Sequence, residues 1–417
     1  MLRSRPFFAM PTMYHPSLPH ASWWEDANAL RRVVADLLAA ELVLARPGLP
    51  PPPSPWPDGL DLVRDLGADS LELMGMSTAL AEALHLAPGS ADTPLLAEPR
   101  FAHWVAAAAA SLRVDDSRLT FRTSGSSGSP KRCTHALATL WQEIHTLAHV
   151  LSGRRRILSA VPSHHIYGFL FTVLLPRRLG IADVVDLRAV GPAALAGMAR
   201  PGDLVVAHPG WWDAVARLAP AFPADVVGVT STAPCPDPLA DALATAGLRL
   251  LQVYGSSETA GVGWREQGGA PYALLPYWSR TDEAAQLARA LPDGTMARYP
   301  LQDKLEWIAA DRFRPAGRID AAVQVGGTNV FPAYVADVLR MHPAVLDASV
   351  RLMRPDEGTR LKAFVVLRDG ALASQQALLD WCAQRLSVPE RPAALTFGQR
   401  LPRQASGKPA DWIIDAQ

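Results

Sequence analysis

The chain has 417 residues, of which 49% are hydrophobic, with 40 basic and 40 acidic side chains balancing to a formal net charge of zero. That length is too great for one ordinary domain, and the apolar content suffices for the cores of two to four. A neutral balance gives no pointer to nucleic acid or an anionic membrane surface as partner. No apolar run reaches membrane-spanning length, Phe169 to Leu175 stopping at Pro176-Arg177-Arg178. Cys133, Cys235 and Cys382 match no disulfide or metal spacing, and Met1 to Pro6 leads into no long apolar stretch, so a cytoplasmic protein without a secretory signal is expected.

Residues 1–20 read as a loose tail. Trp23 to Leu42 predicts a helix with Leu30, Val33, Val34, Leu37, Leu38 and Leu42 on one side. The proline-rich stretch Pro47 to Pro57 predicts a loop. Gly67-Ala68-Asp69-Ser70-Leu71 then opens a second helix carrying Met76, Leu80 and Leu84, with Asp69 a good N-cap and Ser70 at the first helical position. A third helix is expected over about Arg100 to Leu112.

Ser117 to Phe121 predicts a strand and Ala136 to Leu151 a helix. Between them lies Thr123-Ser124-Gly125-Ser126-Ser127-Gly128-Ser129-Pro130-Lys131. Glycines let backbone N–H groups converge on an oxyanion, hydroxyls add donors, and the lysine adds charge. A Ser/Gly linker needs neither a preceding strand nor a terminal Pro-Lys. Lysine is also scarce, 4 residues among the 40 basic ones. The stretch reads as a phosphate cradle, and it is not a Walker loop, which places Gly before its lysine.

Further on, Ile157 to Pro162 is a strand running into Ser163-His164-His165-Ile166-Tyr167-Gly168. Asp203 to Ala207 and Asp225 to Thr230 read as buried parallel strands, each followed by a helix-like segment, an α/β alternation. Ser231-Thr232-Ala233-Pro234 is a small-residue turn after the second. Leu250 to Val253 runs into Tyr254-Gly255-Ser256-Ser257-Glu258-Thr259-Ala260-Gly261. Beyond Leu301-Gln302-Asp303 and Gly317-Arg318-Ile319-Asp320, a helix, two strands and a helix over 333–386 predict a small α/β domain, and Pro402 to Lys408 ends in Gly-Lys.

These ordered stretches over 114–417 resemble the adenylate-forming superfamily of acyl- and aryl-CoA ligases, peptide-synthetase adenylation domains and luciferases. Among these they look most like short aryl-acid:acyl carrier protein ligases of aryl-polyene and xanthomonadin pigment pathways. The resemblance implies an adenylation core over 114–317 and a mobile C-terminal lid over 318–417. It implies that Thr123, Ser124, Gly125, Ser126, Ser127, Gly128 and Lys131 bind the ATP phosphates, and that Ser231, Thr232, Ala233 and Tyr254 lie along adenine. Gly255, Ser256, Ser257 and Thr259 border the nucleotide, Glu258 holds Mg²⁺, and Asp303 and Arg318 reach ribose or phosphate. His165 borders the carboxylate, and Phe169, Trp211, Trp212 and Gly261 join the acid pocket. Asp320 is the hinge, and Lys408 bridges the substrate carboxylate and the α-phosphate.

A usual family member carries a long α/β segment before its phosphate loop. Here residues 21–113, with Gly-x-Asp-Ser-Leu opening a helix, resemble an acyl carrier domain. That implies phosphopantetheine on Ser70, against the plain alternative of a helix start kept for packing. The implied fold is thus an all-α carrier-like domain, a truncated α/β large domain and a small α/β lid. The implied reaction uses ATP and Mg²⁺ to turn a carboxylic acid, expected to be aromatic and hydroxybenzoate-like or of cinnamate type, into an acyl-adenylate, then transfers it to the phosphopantetheine thiol of an acyl carrier protein. CoA as acceptor, or a non-catalytic scaffold presenting a carrier domain, stay open.

Overall fold

The computed structural model describes residues 22–46, 49, 52, 54–86, 92–123, 131–319, 322–402 and 410–414. Helices α1 (Ala27–Ala45), α2 (Ser70–Leu84), α3 (Asp92–Ala97) and α4 (Phe101–Val114) lead into the antiparallel hairpin β1 (Arg118–Thr123) and β2 (Lys131–Ala136), then α5 (Leu137–Val150). Strands β3 (Arg156–Ser159), β4 (Asp183–Asp186), β5 (Asp203–Ala207), β6 (Val227–Thr230) and β7 (Arg249–Ser256) lie parallel in the order β7-β6-β5-β3-β4. β8 (Ala260–Arg265) and β9 (Tyr272–Leu274) extend the sheet antiparallel. A separate antiparallel sheet comprises β10 (Trp278–Arg280), β11 (Gln286–Ala290) and β12 (Met296–Pro300). Strands β13 (Asp303–Ala309) and β14 (Arg312–Arg318) complete the far edge of the large sheet.

The parallel strands are covered on both faces, which is why they read as unbroken apolar runs. Alternation divides them between two cores. Ile157, Leu204, Val206, Val227 and Val229 face the larger one; Leu158, Val205, Ala207 and Leu250 face the other, where Trp211 and Trp212 lie.

The N-terminal helices correct an expectation. Over 21–113 no separate carrier-like body stands apart among the described residues. Leu30, Val34 and Leu38 of α1, Met76 and Leu80 of α2, and Trp104 of α4 belong to the same continuous core as Phe121, Phe169, Leu251 and Phe313. The Gly-x-Asp-Ser-Leu stretch serves as a helix cap. Asp69 accepts from the Glu72 N–H, Glu72 accepts from the Asp69 N–H, and Glu72 also pairs with Arg46.

Polar contacts fasten α1 to the segment after β3. Asp36, buried, accepts from the Ser163 N–H at 2.6 Å and from Arg188 at 2.7 Å. Residues Ile166–Leu179 form a helix with a π-helical turn at Leu170–Leu174. Pro176 has no N–H to offer the Thr172 carbonyl four residues earlier, and Arg32 of α1 donates to it instead at 2.9 Å.

The small domain holds the hairpin β15 (Val323–Val325) and β16 (Thr328–Val330), the helix Pro332–Arg340, the sheet β17 (Val345–Leu352), β18 (Leu361–Leu367) and β19 (Pro392–Phe397), and the helix Gln375–Ala383, around its own core. Two α/β units, one large and one small, are therefore as the sequence implied. No helix among the described residues is long and apolar enough to cross a membrane.

Arg188 is partly exposed and also pairs with Asp186, so it keeps a partner without Asp36, but the buried Ser163 N–H loses its acceptor. An unsatisfied buried donor costs about 1–3 kcal/mol, and Asp36→Ala is expected to lower unfolding stability by about that much in a urea titration, whereas substitution of the exposed Ser70 by Ala leaves the midpoint nearly unchanged.

Candidate active site

Ligands of open α/β sheets bind beyond the carboxyl ends of the parallel strands. Here those ends deliver His164 and His165 after β3, His208 after β5, the 231–233 turn after β6, and Tyr254 to Ser256 at the end of β7. Lys131 opens β2, and its ammonium pairs with the Glu258 carboxylate at 2.7 Å. Two motifs 127 residues apart thus meet. Burial pushes the Glu258 carboxyl up, but the Lys131 hydrogen bond and charge, with hydrogen bonds from its own backbone N–H and from Ser256, together hold the group below its ordinary value.

The turn carrying Glu258 is tightly built. The Ser256 N–H donates to the Thr259 hydroxyl at 3.1 Å, and Ala260 has a positive φ of 57°. A Cβ on Gly255 would lie 2.1 Å from the Ala260 carbonyl oxygen, so no other residue fits there. The His135 ring contacts the Ser257 carbonyl at 2.7 Å. Its burial lowers the ring's pKa, keeping it a neutral partner.

Tyr254 and Asp303 form a second cluster. The Tyr254 hydroxyl donates to Asp303 at 2.8 Å, and Arg318 stands 3.7 Å from the same carboxylate, directly across the β13–β14 ladder. The Tyr254 ring lies against Phe313 and Tyr272. Burial, then the Asp303 charge, raises the Tyr254 hydroxyl far above its ordinary value, so it stays a donor. The Ser231 hydroxyl donates to the Val253 carbonyl, and exposed Thr232 takes a positive φ of 76°.

The other expected residues divide. His165 is exposed at the start of the helix over 166–179, its ring 4.1 Å from that of His164. Phe169 is core, packed edge-on against Trp23. Trp211 and Trp212 lie in the core on the sheet's opposite face, and the Trp212 indole donates to the Val229 carbonyl; neither is brought to Glu258's cluster. The side chain of Thr123, the loop residues Ser124, Gly125, Ser126, Ser127 and Gly128, the hinge Asp320, and Lys408 lie outside the described residues.

Sequence reasoning missed Glu143 and Arg289. Arg289 is fully buried. Its guanidinium donates to Gln142, to the Thr259 carbonyl at 3.2 Å and to the Thr139 carbonyl at 2.6 Å, and it lies over Tyr277 and Trp278. Glu143, also fully buried, accepts from the Gly261 N–H at 2.8 Å. Neither stands in a motif, and the contacts of Arg289 to Gln142 and Thr139 and of Glu143 to Gly261 span more than a hundred residues of sequence, so only a contact map finds them.

A family model described as AMP-binding enzyme matches residues 70–282, and one described as AMP-binding enzyme C-terminal domain matches 334–408. The chain is 38% identical over 410 residues to a 4-coumarate–CoA ligase of Cereibacter sphaeroides, covering 93% of this chain and 97% of that protein. It is 37% identical to one of Rhodobacter capsulatus, covering 92% of this chain and 100% of that one. The short N-terminal region is thus common to these CoA ligases, and the first model match begins inside it, at α2. The resemblance to pigment-pathway carrier protein ligases gives way accordingly. Among solved structures, an amide bond synthetase of Marinactinospora thermotolerans aligns with a TM-score of 0.59 at 19% identity, covering 91% of this chain and 92% of that one. A double mutant of o-succinylbenzoate CoA synthetase from Bacillus subtilis aligns at 0.58 and 22%, covering 70% and 67%. At those identities the likeness concerns the fold.

Burial pushes the Glu143 carboxyl up from 4.5 to about 7, against the pull of Arg289 and the Gly261 N–H. The native state then holds a proton that the unfolded chain releases, so this group's favourable contribution is present below pH 4.5 and is lost as pH rises to 7. Glu143→Gln does not titrate. Across that window its stability relative to the unaltered chain should rise by on the order of 3 kcal/mol, read from urea unfolding at several pH values; a pH-independent difference contradicts the assignment.

Proposed function

The chain belongs to the AMP-binding enzyme family of adenylate-forming acid–CoA ligases, and we propose that it activates a 4-coumarate-type hydroxycinnamic acid with ATP and passes the acyl group to CoA. The observation that carries this reading is the 36–38% identity to three 4-coumarate–CoA ligases along more than nine-tenths of the chain. Of the two expected classes, hydroxybenzoate-like and cinnamate-type, the names of these relatives favour the second. CoA is preferred to a carrier protein because these relatives are named as CoA ligases.

In the first half-reaction a carboxylate oxygen attacks the α-phosphorus of ATP and pyrophosphate leaves, giving acyl-AMP. In the second the CoA sulfur attacks the acyl carbon, its proton is lost, and AMP leaves. The first step brings two anions together, and fixed positive charge must offset that repulsion. Lys131, at the exit of the phosphate loop, supplies part of it. Tyr254 presents its ring to adenine and orients Asp303, whose carboxylate takes the ribose hydroxyls with Arg318 alongside. Ser231, Thr232 and Ala233 line the base; Gly255, Ser256, Ser257 and Thr259 shape the floor beneath it. His165 borders the acid. Asp320 serves as the hinge between the half-reactions.

Mg²⁺ is commonly held by one or two carboxylates together with substrate phosphates. Glu258, one half-buried carboxylate beside the phosphate-loop lysine, fits that donor set. When bound, the ion supplies charge neutralisation at the phosphates.

Acid-dependent ATP–pyrophosphate exchange over a panel of acids, followed by CoA and acyl carrier proteins as acceptors, tests the reading. 4-Coumarate should exchange fastest and yield a CoA thioester. Equal rates with a long-chain fatty acid, or transfer to a carrier protein but not to CoA, contradict it. Lys408→Ala should lower the exchange rate by about a hundred- to a thousandfold while sparing thioester formation from supplied coumaroyl-AMP, because the carboxylate and phosphate meet as two anions only in the first step.

A further inference from the structure

We infer that Glu143, acting with Arg289, is a positioning residue for Glu258: the two side chains clamp the backbone of the turn from which the Glu258 carboxylate projects. The inference rests on the adenylation reading and adds residues that no motif contains.

The geometry is specific. Residues 259–261 follow Glu258 directly. The Thr259 carbonyl accepts from Arg289, the Gly261 N–H donates to Glu143, and the Gly261 carbonyl accepts from the Trp278 indole at 2.8 Å. Helix α5 and strands β10 and β11 therefore hold successive backbone groups of one turn. Position 261 has no room for a side chain on the Glu143 side, since a Cβ there would lie 2.3 Å from the Glu143 Oε1. That Oε1 has no hydrogen-bond partner among the described residues.

A buried carboxyl with half its hydrogen-bonding capacity unused is costly, and so is a buried guanidinium. Well-packed apolar residues give comparable or better stability in such places. What these two groups provide is direction, because a hydrogen-bonded backbone group has fewer orientations than one packed against methyl groups. Active-site groups need placement to within about half an ångström.

The test compares Glu143→Ala, which removes the acceptor of the Gly261 N–H, and Glu143→Gln, whose amide oxygen still accepts that bond, with the unaltered protein in both half-reactions, on samples whose unfolding midpoints show them folded. Misplacement by about 1 Å can cost a hundredfold. The expected result for Glu143→Ala is a fall in kcat for 4-coumarate-dependent pyrophosphate exchange of about ten- to a hundredfold, with KM for acid and ATP within about threefold and CoA thioester formation from supplied coumaroyl-AMP preserved, while Glu143→Gln retains most of the exchange rate. A double-mutant cycle on Gly261→Ala and Glu143→Ala gives an independent reading. If both act on the same turn, the double variant is no slower than the worse single one, whereas independent losses multiply. An unchanged kcat in Glu143→Ala, a uniform loss in both half-reactions together with a lowered midpoint, or multiplying losses overturns the inference. A wild-type protein without acid-dependent exchange overturns the adenylation reading instead, and the inference with it.

Discussion

One buried guanidinium joins the parts of the large domain on which the candidate site depends. Arg289 has no exposed surface, and its donors are taken by a side-chain amide and two backbone carbonyls while two aromatic faces cover it. A cation removed from water is tolerable only when its donors are met and its charge faces electron-rich groups. Because the acceptors belong to α5 and to the turn after β7, meeting them fixes the helix that follows the phosphate loop against the turn that carries Glu258. A lysine cannot replace it, since one ammonium does not reach three divergent acceptors with a planar fork.

A second constraint comes from the short N-terminal region. The helices α1, α2 and α4 cover one side of the large core. Their polar contacts reach the segment after β3, where Asp36 holds the Ser163 N–H and Arg32 takes the carbonyl that Pro176 leaves unmet. The π-helical turn there is thus supported from outside its own helix.

The small domain has an analogous buried cation. Lys362 is fully buried, and its three donors match three acceptors: Glu357 at 2.7 Å, the Trp412 carbonyl at 2.6 Å and Asp411 at 3.0 Å. It ties the described C-terminal segment to β18. The hairpin turn Gly326-Gly327 approaches Thr232, where a Cβ on Gly327 would lie 3.2 Å from the hydroxyl; the small domain therefore meets the large one at the turn after β6.

The α/β class and the succession of apolar strands along the chain were legible in the sequence, and so were the residue types expected at the site. Buried parallel strands must be apolar throughout, and phosphate chemistry draws on a narrow set of residues, so Lys131, Glu258, Tyr254, Asp303 and Arg318 were legible as types at fixed spacings. Helix periodicity in 23–112 was legible too, but what the helices pack against was not: an apolar face looks alike whether it closes a small bundle or covers a larger core. Gly-x-Asp-Ser-Leu likewise left a modification site and a plain helix start open, because a capping box and a carrier motif use the same residues. Trp211 and Trp212 illustrate the same limit, since an aromatic near a strand end gives no sign of which face of the sheet it joins. Only the tertiary structure decided these points, together with the clamps made by Asp36, Glu143 and Arg289. Their partners are distant in sequence, and a buried polar residue declares its role only through the particular groups that surround it.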